Sequence, residues 1–275
     1  MNRTDEEGLD VDQKRQVRQR RPASADVLHA VTRTDGENEL ARSTRALAWS
    51  GLAGGLSMGF SLVAEGVLRS DLPDAPWRPL ITKFGYAVGF LIVILGRQQL
   101  FTENTLSPIL PLLRDRSIAT ARNVLRLWVT VLVTNLAGAF MFALALGRTG
   151  LFDANVRGAF STLGLEAMAP ASSTLFARAI LAGWLIALIV WILPSVESAK
   201  FWIIVLLTYL VGIAHFPHIV AGSVETMYVA VTGDASWWAY LFHYALPTLA
   251  GNVVGGVSFV TVLNHAQVVA TDPEA

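Results

Sequence analysis

The sequence predicts an all-α membrane protein with six transmembrane helices, of which the second and the fifth are broken, arranged as an inverted repeat of two three-helix halves. Three observations support this fold class. Only 15% of the 275 residues are charged and 53% are hydrophobic, whereas about 25% of the residues of a soluble domain are charged. Long uncharged runs follow a charged N-terminal region, and polar residues interrupt two of them. Paired features also recur at a constant separation along the chain.

Six uncharged runs mark the expected spans, because a bilayer core of about 30 Å requires about 20 apolar residues. The runs cover 46–64, 84–96, 127–147, 179–196, 201–224 and 235–271. The second run is short, but it continues through Arg97, Gln98 and Gln99 to Leu113. We therefore expect 81–113 to form one span with a polar interruption.

The fifth span has a similar interruption. Residues 201–231 would measure about 46 Å as one helix, which is too long for an upright crossing. Pro217 cannot donate a backbone hydrogen bond, and it suits the first turn of a helix. We therefore expect a half-helix to begin near Pro217 or His218, and another to begin near Thr102 in the broken second span.

The charge distribution predicts the domain boundaries and the orientation. Residues 1–45 contain 18 of the 42 charged side chains. We expect 1–43 to form a disordered cytoplasmic tail, 44–266 the transmembrane domain and 267–275 a cytoplasmic C-terminal tail. With six spans, the side that holds both termini has 14 Lys and Arg residues and the other side has six. The positive-inside rule therefore predicts that both termini are cytoplasmic.

Two matched pairs of residues indicate an internal repeat. Asn135 and Asn252 each begin an Asn-x-x-Gly pattern, and they are 117 residues apart. The same separation relates Phe101 to His218, at the two predicted breaks. Two halves with three spans each must lie in opposite orientations in the membrane. Paired broken helices in an inverted repeat are typical of a substrate path near the midplane of the bilayer.

Several functions are not expected from this sequence. The chain has no cysteine and a formal net charge of zero, so we expect no Cys-ligated metal, and the lack of a basic face argues against a nucleic-acid partner. His215 and His218 are one helical turn apart, but no third ligand has suitable spacing for a metal site. The sequence contains neither a phosphate-binding glycine loop nor a nucleophile elbow. We therefore expect a protein without metal or cofactor that is not an enzyme.

Four motifs, in order along the chain, resemble those of the formate/nitrite transporter family. The sequence Leu-Phe-Thr-Glu-Asn-Thr at 100–105 is similar to the family signature Leu-Phe-Thr-x-Asn-Thr. The stretches that resemble the third, fourth and sixth spans of the family are 128–139, 175–185 and 250–256. Lys200 and His218 have the 18-residue spacing of the family's lysine and central histidine. The resemblance extends over roughly residues 44–265.

The resemblance implies an aquaporin-like protomer within a homopentamer of the bacterial inner membrane. Each protomer would have its own pore for small monovalent anions or their conjugate acids. His218 would be central, with Thr102 on the loop that faces it, and Asn135 and Asn252 would be packing asparagines. The residues at the family's apolar constrictions would be Tyr86, Phe90, Leu100, Phe101 and Val211.

The sequence departs from the family at three polar neighbours of the histidine. Pro217 replaces a glutamate, Gly222 replaces an asparagine, and Gly183 replaces an asparagine of the fourth span. Other polar residues are introduced in these segments, namely His215, Arg97, Gln98, Gln99 and Glu225. We therefore expect the polar network around the histidine to be rebuilt.

We expect His218 to exchange a proton with a weak-acid anion, because imidazole gains and loses a proton near physiological pH. The neutral acid then crosses an apolar constriction at a much lower cost than the anion. Thr102 would donate a hydrogen bond that orients the substrate, and helix N-termini at the breaks would attract the anion. Two other functions remain open: a channel for small neutral solutes or undissociated acids, and a non-transporting scaffold or sensor whose charged tail binds a partner.

Several further polar residues have alternative interpretations. Arg97 and Glu103 flank the break of the second span, and they form either a structural ion pair or part of the functional site. Lys200 either concentrates anions at the cytoplasmic entrance or is a positive residue of the membrane surface. His215 is either a packing residue or a second titratable group near the central histidine. The acidic residues expected near the membrane surface, where water solvates them, are Glu65 and Glu225.

Overall fold

The computed structural model of the protein describes Asp10, residues 24–196 and 198–262, and Ala266. Every regular element in this part of the chain is helical. The α-helices are α1 (Ala25–Ala41), α2 (Thr44–Asp71), α3 (Arg78–Thr82), α4 (Tyr86–Leu95), α5 (Ile109–Asp115), α6 (Ile118–Arg148), α7 (Ala154–Met168), α8 (Ser172–Ile192), α9 (Lys200–Ile213), α10 (Ala221–Thr232) and α11 (Leu246–Val254). Short 3₁₀ turns occupy Glu103–Thr105 and Leu193–Ser195, and π-helical turns occupy Ala239–Ala245 and Gly255–Val262.

Four helical stretches are long and apolar enough to cross a membrane. They are Thr44–Asp71, Arg78–Leu95, Ile118–Arg148 and Ser172–Ser195. The helix α9 is also apolar, although it has only 14 residues. Large apolar side chains such as Trp49, Leu125 and Trp202 are exposed on these helices, and extensive exposed apolar surface is typical of membrane contact. The all-helical membrane class predicted from composition is therefore confirmed.

Close helix contacts bring two asparagines into the interior. Gly55 of α2 lies against the backbone of Asn135 in α6, and a Cβ atom at this glycine would overlap that backbone. In the same way, Gly183 of α8 lies against the backbone of Asn252 in α11. Glycine permits this close approach of two helices. Both asparagine side chains are fully buried as a result.

The second span is interrupted by an irregular segment. The helix α4 ends at Leu95, and the chain continues without an α-helix through the 3₁₀ turn Glu103–Thr105 until α5 begins at Ile109. The expectation of a half-helix near Thr102 is therefore wrong. Pro108 directly precedes α5, and proline is compatible with the start of a helix because it has no N–H group to leave unpaired.

The fifth span is interrupted between α9 and α10, at residues 214–220. The half-helix expected at Pro217 or His218 begins only after this segment, so that expectation is wrong by a few residues. The cause is the side chain of Asn252, which accepts a hydrogen bond from the N–H group of Ile219 and donates one to the carbonyl of Pro217. These peptide groups are therefore not available to a helical hydrogen-bond ladder.

Residues 25–41, which the sequence analysis assigned to a disordered tail, form the helix α1. Packing against the helical bundle stabilises this segment. Arg126 of α6 donates hydrogen bonds to the carbonyl groups of Leu40 at 2.7 Å and Arg42 at 3.0 Å. The expectations for the remaining tail segments concern residues outside those described, at 1–9, 11–23 and 267–275.

Candidate functional site

The two interrupted segments meet at a hydrogen bond between Thr102 and His218. Oγ1 of Thr102 and Nε2 of His218 are 2.7 Å apart, and neither side chain is exposed to solvent. The sequence predicted that these two residues face each other, and the structure brings them together. A buried polar pair in apolar surroundings is suited to orient a small polar ligand.

The other ring nitrogen of His218 determines where the ring proton lies. Nδ1 accepts hydrogen bonds from the backbone N–H groups of Val220 at 3.3 Å and Ala221 at 3.2 Å. A neutral imidazole that accepts at Nδ1 carries its proton on Nε2, so Nε2 donates to Thr102. The hydroxyl of Thr102 therefore has its own proton to donate to a substrate. His218 also caps α10, since its side chain binds N–H groups that have no partner within the helix.

Asn135 holds the first interrupted segment through three buried hydrogen bonds. Its Oδ1 accepts from the N–H group of Phe101 at 2.9 Å. Its Nδ2 donates to the carbonyl of Gln99 at 2.9 Å and to that of Gly51 at 2.7 Å. The bonds to Phe101 and Gln99 satisfy backbone groups that a continuous helix would have paired, and the bond to Gly51 ties the segment to α2.

Asn252 holds the second interrupted segment in the same way. Its Oδ1 accepts from the N–H group of Ile219 at 2.8 Å, and its Nδ2 donates to the carbonyl of Pro217 at 3.0 Å and to a carbonyl of α8 at 2.9 Å. The matched N–H groups of Phe101 and Ile219 are thus 118 residues apart. The expected correspondence of Phe101 with His218 is therefore wrong by one residue.

The residues expected at apolar constrictions lie close to the Thr102–His218 pair. The ring of Phe90 packs edge-on against that of His218 with 5.0 Å between centroids, and the ring of Tyr86 is 5.4 Å from that of Phe90. All of the expected constriction residues are buried, namely Tyr86, Phe90, Leu100, Phe101 and Val211. Electrostatic interactions are stronger in such apolar surroundings than in water.

A cavity that is open to solvent has His218 in its wall, and its empty space, including the part at its mouth, amounts to about 500 Å³. We call this cavity the vestibule. Tyr86 and Val211 lie in its wall together with His218. The titratable side chains that line it are Lys83, Tyr86, Glu166, His215, His218, Glu225 and Tyr244. Among the described residues, no group of three or more His, Cys, Asp or Glu side chains could hold a metal ion.

Charged residues from distant parts of the sequence meet at the vestibule. Lys83 forms an ion pair with Glu65, whose side chain is fully buried. Arg69 donates two hydrogen bonds to Glu166, at 3.0 and 2.7 Å. Only 8% of Glu225 is exposed. The expectation that water solvates Glu65 and Glu225 is therefore wrong, because α7 packs against both α2 and α10 and covers them.

The accessory candidates of the first interrupted segment lie outside the vestibule wall. The ion pair that was one of the two alternatives for Arg97 and Glu103 is not formed. Arg97 is exposed, whereas Oε1 of Glu103 is buried without a hydrogen-bond partner among the described residues. Gln99 connects this segment to α1 instead, because its side chain donates to Glu39 at 2.8 Å. Lys200 is the first residue of α9 and is not among the residues that line the vestibule.

Tyr244 explains why glycine is present at position 222. A Cβ atom at Gly222 would overlap the hydroxyl of Tyr244, and this hydroxyl donates to the carbonyl of His218 at 3.5 Å. The sequence analysis missed Tyr244, although a glycine where the family has a polar side chain was a signal that another group fills the space. It also missed Lys83, although a charge at the start of an apolar run is a signal of function.

Several known proteins are similar to this chain in sequence. The sequence model described as Formate/nitrite transporter matches residues 26–266. The chain is 41% identical over 249 residues to the Inner membrane protein YfdC of Escherichia coli (strain K12), which covers 90% of this chain and 80% of that protein. It is 28% identical over 261 residues to a Probable formate transporter of Methanothermobacter thermautotrophicus, with 87% and 94% of the two chains covered.

Two solved structures have a similar fold. A pentameric formate channel with formate bound matches with a TM-score of 0.68 at 18% identity, over 82% of this chain and 98% of that chain. An FNT family ion channel matches with a TM-score of 0.70 at 21% identity, over 88% and 96%. The apolar helices and the similarity to an inner membrane protein together support a multi-pass protein of the inner membrane. The chain belongs to the formate/nitrite transporter family, whose members are membrane channels and transporters.

Proposed function

We propose that this chain conducts small monovalent weak-acid anions across the inner membrane, and that the substrate passes the buried Thr102–His218 pair. The observation that carries the proposal is the hydroxyl of Thr102, which accepts from Nε2 of His218 and so keeps its own proton for a substrate. Formate is the first candidate substrate, because proteins named as a formate transporter and a formate channel are similar to this chain. Nitrite is the second, from the name of the family.

The proposed architecture is an aquaporin-like inverted repeat of three plus three transmembrane helices, with the second and fifth helices broken. The equivalent hydrogen bonds of Asn135 and Asn252 at the two interrupted segments support it. We also propose a homopentamer with one pore in each protomer, in line with the pentameric channel of similar fold. We propose that both termini are cytoplasmic, which the distribution of Lys and Arg supports.

The proposed transport step combines a hydrogen bond with a change of charge. The hydroxyl of Thr102 donates a hydrogen bond to the substrate, which orients it at the constriction. A bare anion is expensive to move past the apolar rings of Phe90 and Phe101, whereas the neutral acid is not. The substrate therefore acquires a proton before it passes the constriction and loses it on the other side.

Proton exchange at His218 itself would require a local change in the structure. In the neutral ring Nε2 already carries a proton, so an added proton would have to bind Nδ1. The hydrogen bonds from Val220 and Ala221 to Nδ1 would then be lost. Exchange at His218 would consequently require the first turn of α10 to move.

The experiment that tests the proposed function is a flux assay with purified protein in liposomes. Formate, nitrite, acetate, lactate, hydrosulfide and chloride are compared between about pH 5 and 8, the range in which histidine titrates. We expect weak-acid anions to pass and chloride to be excluded. Passage of neutral solutes in a shrinkage assay, without anion flux, would support the alternative of a neutral-solute channel. Absence of all flux, with a partner lost on deleting residues 1–42, would support a scaffold.

Two variants test the constriction. Thr102→Val should lower formate flux by up to roughly tenfold, because a hydrogen bond contributes about 0.5 to 1.5 kcal/mol. His218→Asn should lower the flux, because it removes the group that positions the hydroxyl of Thr102. A flattened pH dependence would support proton exchange at this residue, and an unchanged pH dependence would contradict it. Thr162→Val is the matched control, because Thr162 is exposed on α7.

A further inference from the structure

We propose that Glu225 gives the incoming anion its proton, in the vestibule and before the substrate reaches the Thr102–His218 pair. The inference deepens the proposed function and rests on it, because it names the group that converts a weak-acid anion into its neutral acid. It assigns a role in proton transfer to a residue that lies outside the signature motifs of the chain.

Glu225 lies in the wall of the vestibule, the cavity that reaches His218. It follows Gly222 by three residues in α10, and residues at this spacing share one face of a helix. His218 lies just before this helix, and all three residues line the vestibule. Since His218 is also part of the vestibule wall, one cavity gives access to both Glu225 and His218.

The carboxyl group of Glu225 has no partner of its own. Only 8% of the residue is exposed, and neither a hydrogen bond nor an ion pair joins this carboxyl to any of the described residues. A buried carboxylate without a partner is costly. It can be balanced by a free cation or by a bound proton.

The cations near Glu225 are already engaged by other carboxylates. Lys83 forms an ion pair with Glu65, and Arg69 binds Glu166 through two nitrogens. Of these residues, Lys83, Glu65 and Glu166 act on Glu225 electrostatically. The other titratable groups that face the vestibule are His215, Tyr86, His218 and Tyr244. A proton is therefore the balancing partner that remains for Glu225, and it is also what a weak-acid anion needs.

The transfer step is a simple acid–base exchange. An oxygen of the anion takes the proton from the carboxyl of Glu225, so that one O–H bond breaks on Glu225 and one forms on the substrate. The neutral acid moves on to the hydroxyl of Thr102, and the negative charge stays on Glu225. Water from the mouth of the vestibule then returns a proton to Glu225. One proton accompanies each anion, and the reverse sequence releases an anion to the vestibule.

This assignment leaves the hydrogen bonds of His218 intact. Its Nδ1 continues to accept from the first turn of α10, and its Nε2 continues to donate to Thr102. His218 then positions the hydroxyl of Thr102, while Glu225 carries the proton. The vestibule thus separates protonation of the substrate from its orientation.

The test is the Glu225→Gln variant in liposomes, with labelled formate uptake and internal pH followed together. Gln preserves the size of the side chain and removes the exchangeable proton. At about pH 7.5 we expect uptake to fall roughly 100-fold, the lower end of what a general acid contributes. The deficit should shrink as the external pH falls toward the pKa of formic acid, because the solution itself then supplies the neutral acid. Uptake and pH dependence equal to those of the unsubstituted protein would overturn the inference.

Asp234→Asn is the matched control, because Asp234 is an exposed carboxylate just beyond the end of α10, and its flux should match the unsubstituted protein. Absence of weak-acid flux in the unsubstituted protein would contradict the proposed function itself, so failure of the proposed function can be told apart from failure of the role of Glu225.

If Glu225→Gln does not fold, carbodiimide labelling of the unsubstituted protein tests whether Glu225 is protonated. The reagent attacks protonated carboxyls, so Glu225 should be labelled and formate should slow the labelling. No labelling, or labelling that formate leaves unchanged, would refute the assignment.

Discussion

The two interrupted segments have equivalent backbones but different chemistry. Arg97 and His215 both adopt left-handed backbone geometry, with φ of 49° and 51°, and they are 118 residues apart. The same separation relates Gln99 to Pro217, whose carbonyls accept from Asn135 and Asn252. The backbone scaffold is thus matched at the level of single hydrogen bonds.

The side chains on this scaffold are not matched. His218 corresponds to Leu100, and Thr102 corresponds to Val220, so each polar member of the central pair has an apolar counterpart. The first segment contains a 3₁₀ turn and is followed by the seven-residue helix α5, whereas the twelve-residue helix α10 follows the second. The charged vestibule is also on the side of the second segment. A duplicated scaffold therefore supports a single asymmetric site.

The strongest test of the matched scaffold is removal of its asparagines. Asn135→Ala and Asn252→Ala each delete three hydrogen bonds to buried backbone groups. A buried group left unpaired costs about 1 to 3 kcal/mol, so each variant should lose roughly 3 kcal/mol or more of stability. Thermal unfolding in detergent, followed by size-exclusion chromatography, measures the loss.

The two losses should be equal if the two scaffolds are equivalent. Asn155→Ala is the control, because Asn155 is exposed on α7 and its replacement should change little. A variant of Asn135 or Asn252 that unfolds at the temperature of the unsubstituted protein would show that the corresponding segment does not depend on its asparagine.

A smaller loss of stability is expected from substitution of Gly222. At this position the second segment has no polar side chain, whereas the first segment has one at the equivalent position. Its counterpart in the first segment is Asn104, which donates to Gln99 at 2.8 Å. Gly222→Ala places a methyl group against the hydroxyl of Tyr244, and such overpacking costs about 1 to 3 kcal/mol. Unfolding temperature and formate flux should both decrease.

The second-site change Tyr244→Phe should recover part of the stability lost in Gly222→Ala, because it removes the oxygen that the methyl group meets. If the double variant is less stable than Gly222→Ala alone, this explanation is contradicted. Gly158→Ala is the control, since nothing lies within 4 Å of a Cβ atom at Gly158.

The features that the sequence predicted are those that depend on local chemistry. Apolar runs predicted the membrane helices, and charged or proline-containing interruptions indicated the segments that hold Thr102 and His218. The repeat was detected but its register was wrong by one residue. The reason is that Phe101 precedes Asn135 by 34 residues, whereas Ile219 precedes Asn252 by 33, and only the hydrogen bonds show which residues correspond.

The features that the sequence did not predict depend on packing between distant segments. Glu65 and Lys83 belong to different helices, and nothing in their local sequences indicates an ion pair. The helix α1 is stabilised by contacts with α6, so composition alone favoured disorder. The burial of Glu225 follows from the position of α7, which the sequence analysis did not place.

The smallest expected effect concerns the two left-handed residues themselves. A non-glycine residue in this conformation is strained by about 1 to 2 kcal/mol, and glycine relieves the strain at the expense of greater freedom in the unfolded chain. Arg97→Gly and His215→Gly should therefore each stabilise the protein by about 0.5 kcal/mol, measured as a small rise in unfolding temperature. Formate flux should respond only to His215→Gly, because His215 lines the vestibule and Arg97 does not. If Arg97→Gly changes the flux, the first segment takes part in the pathway. The exposed position of the Arg97 side chain does not indicate such a role.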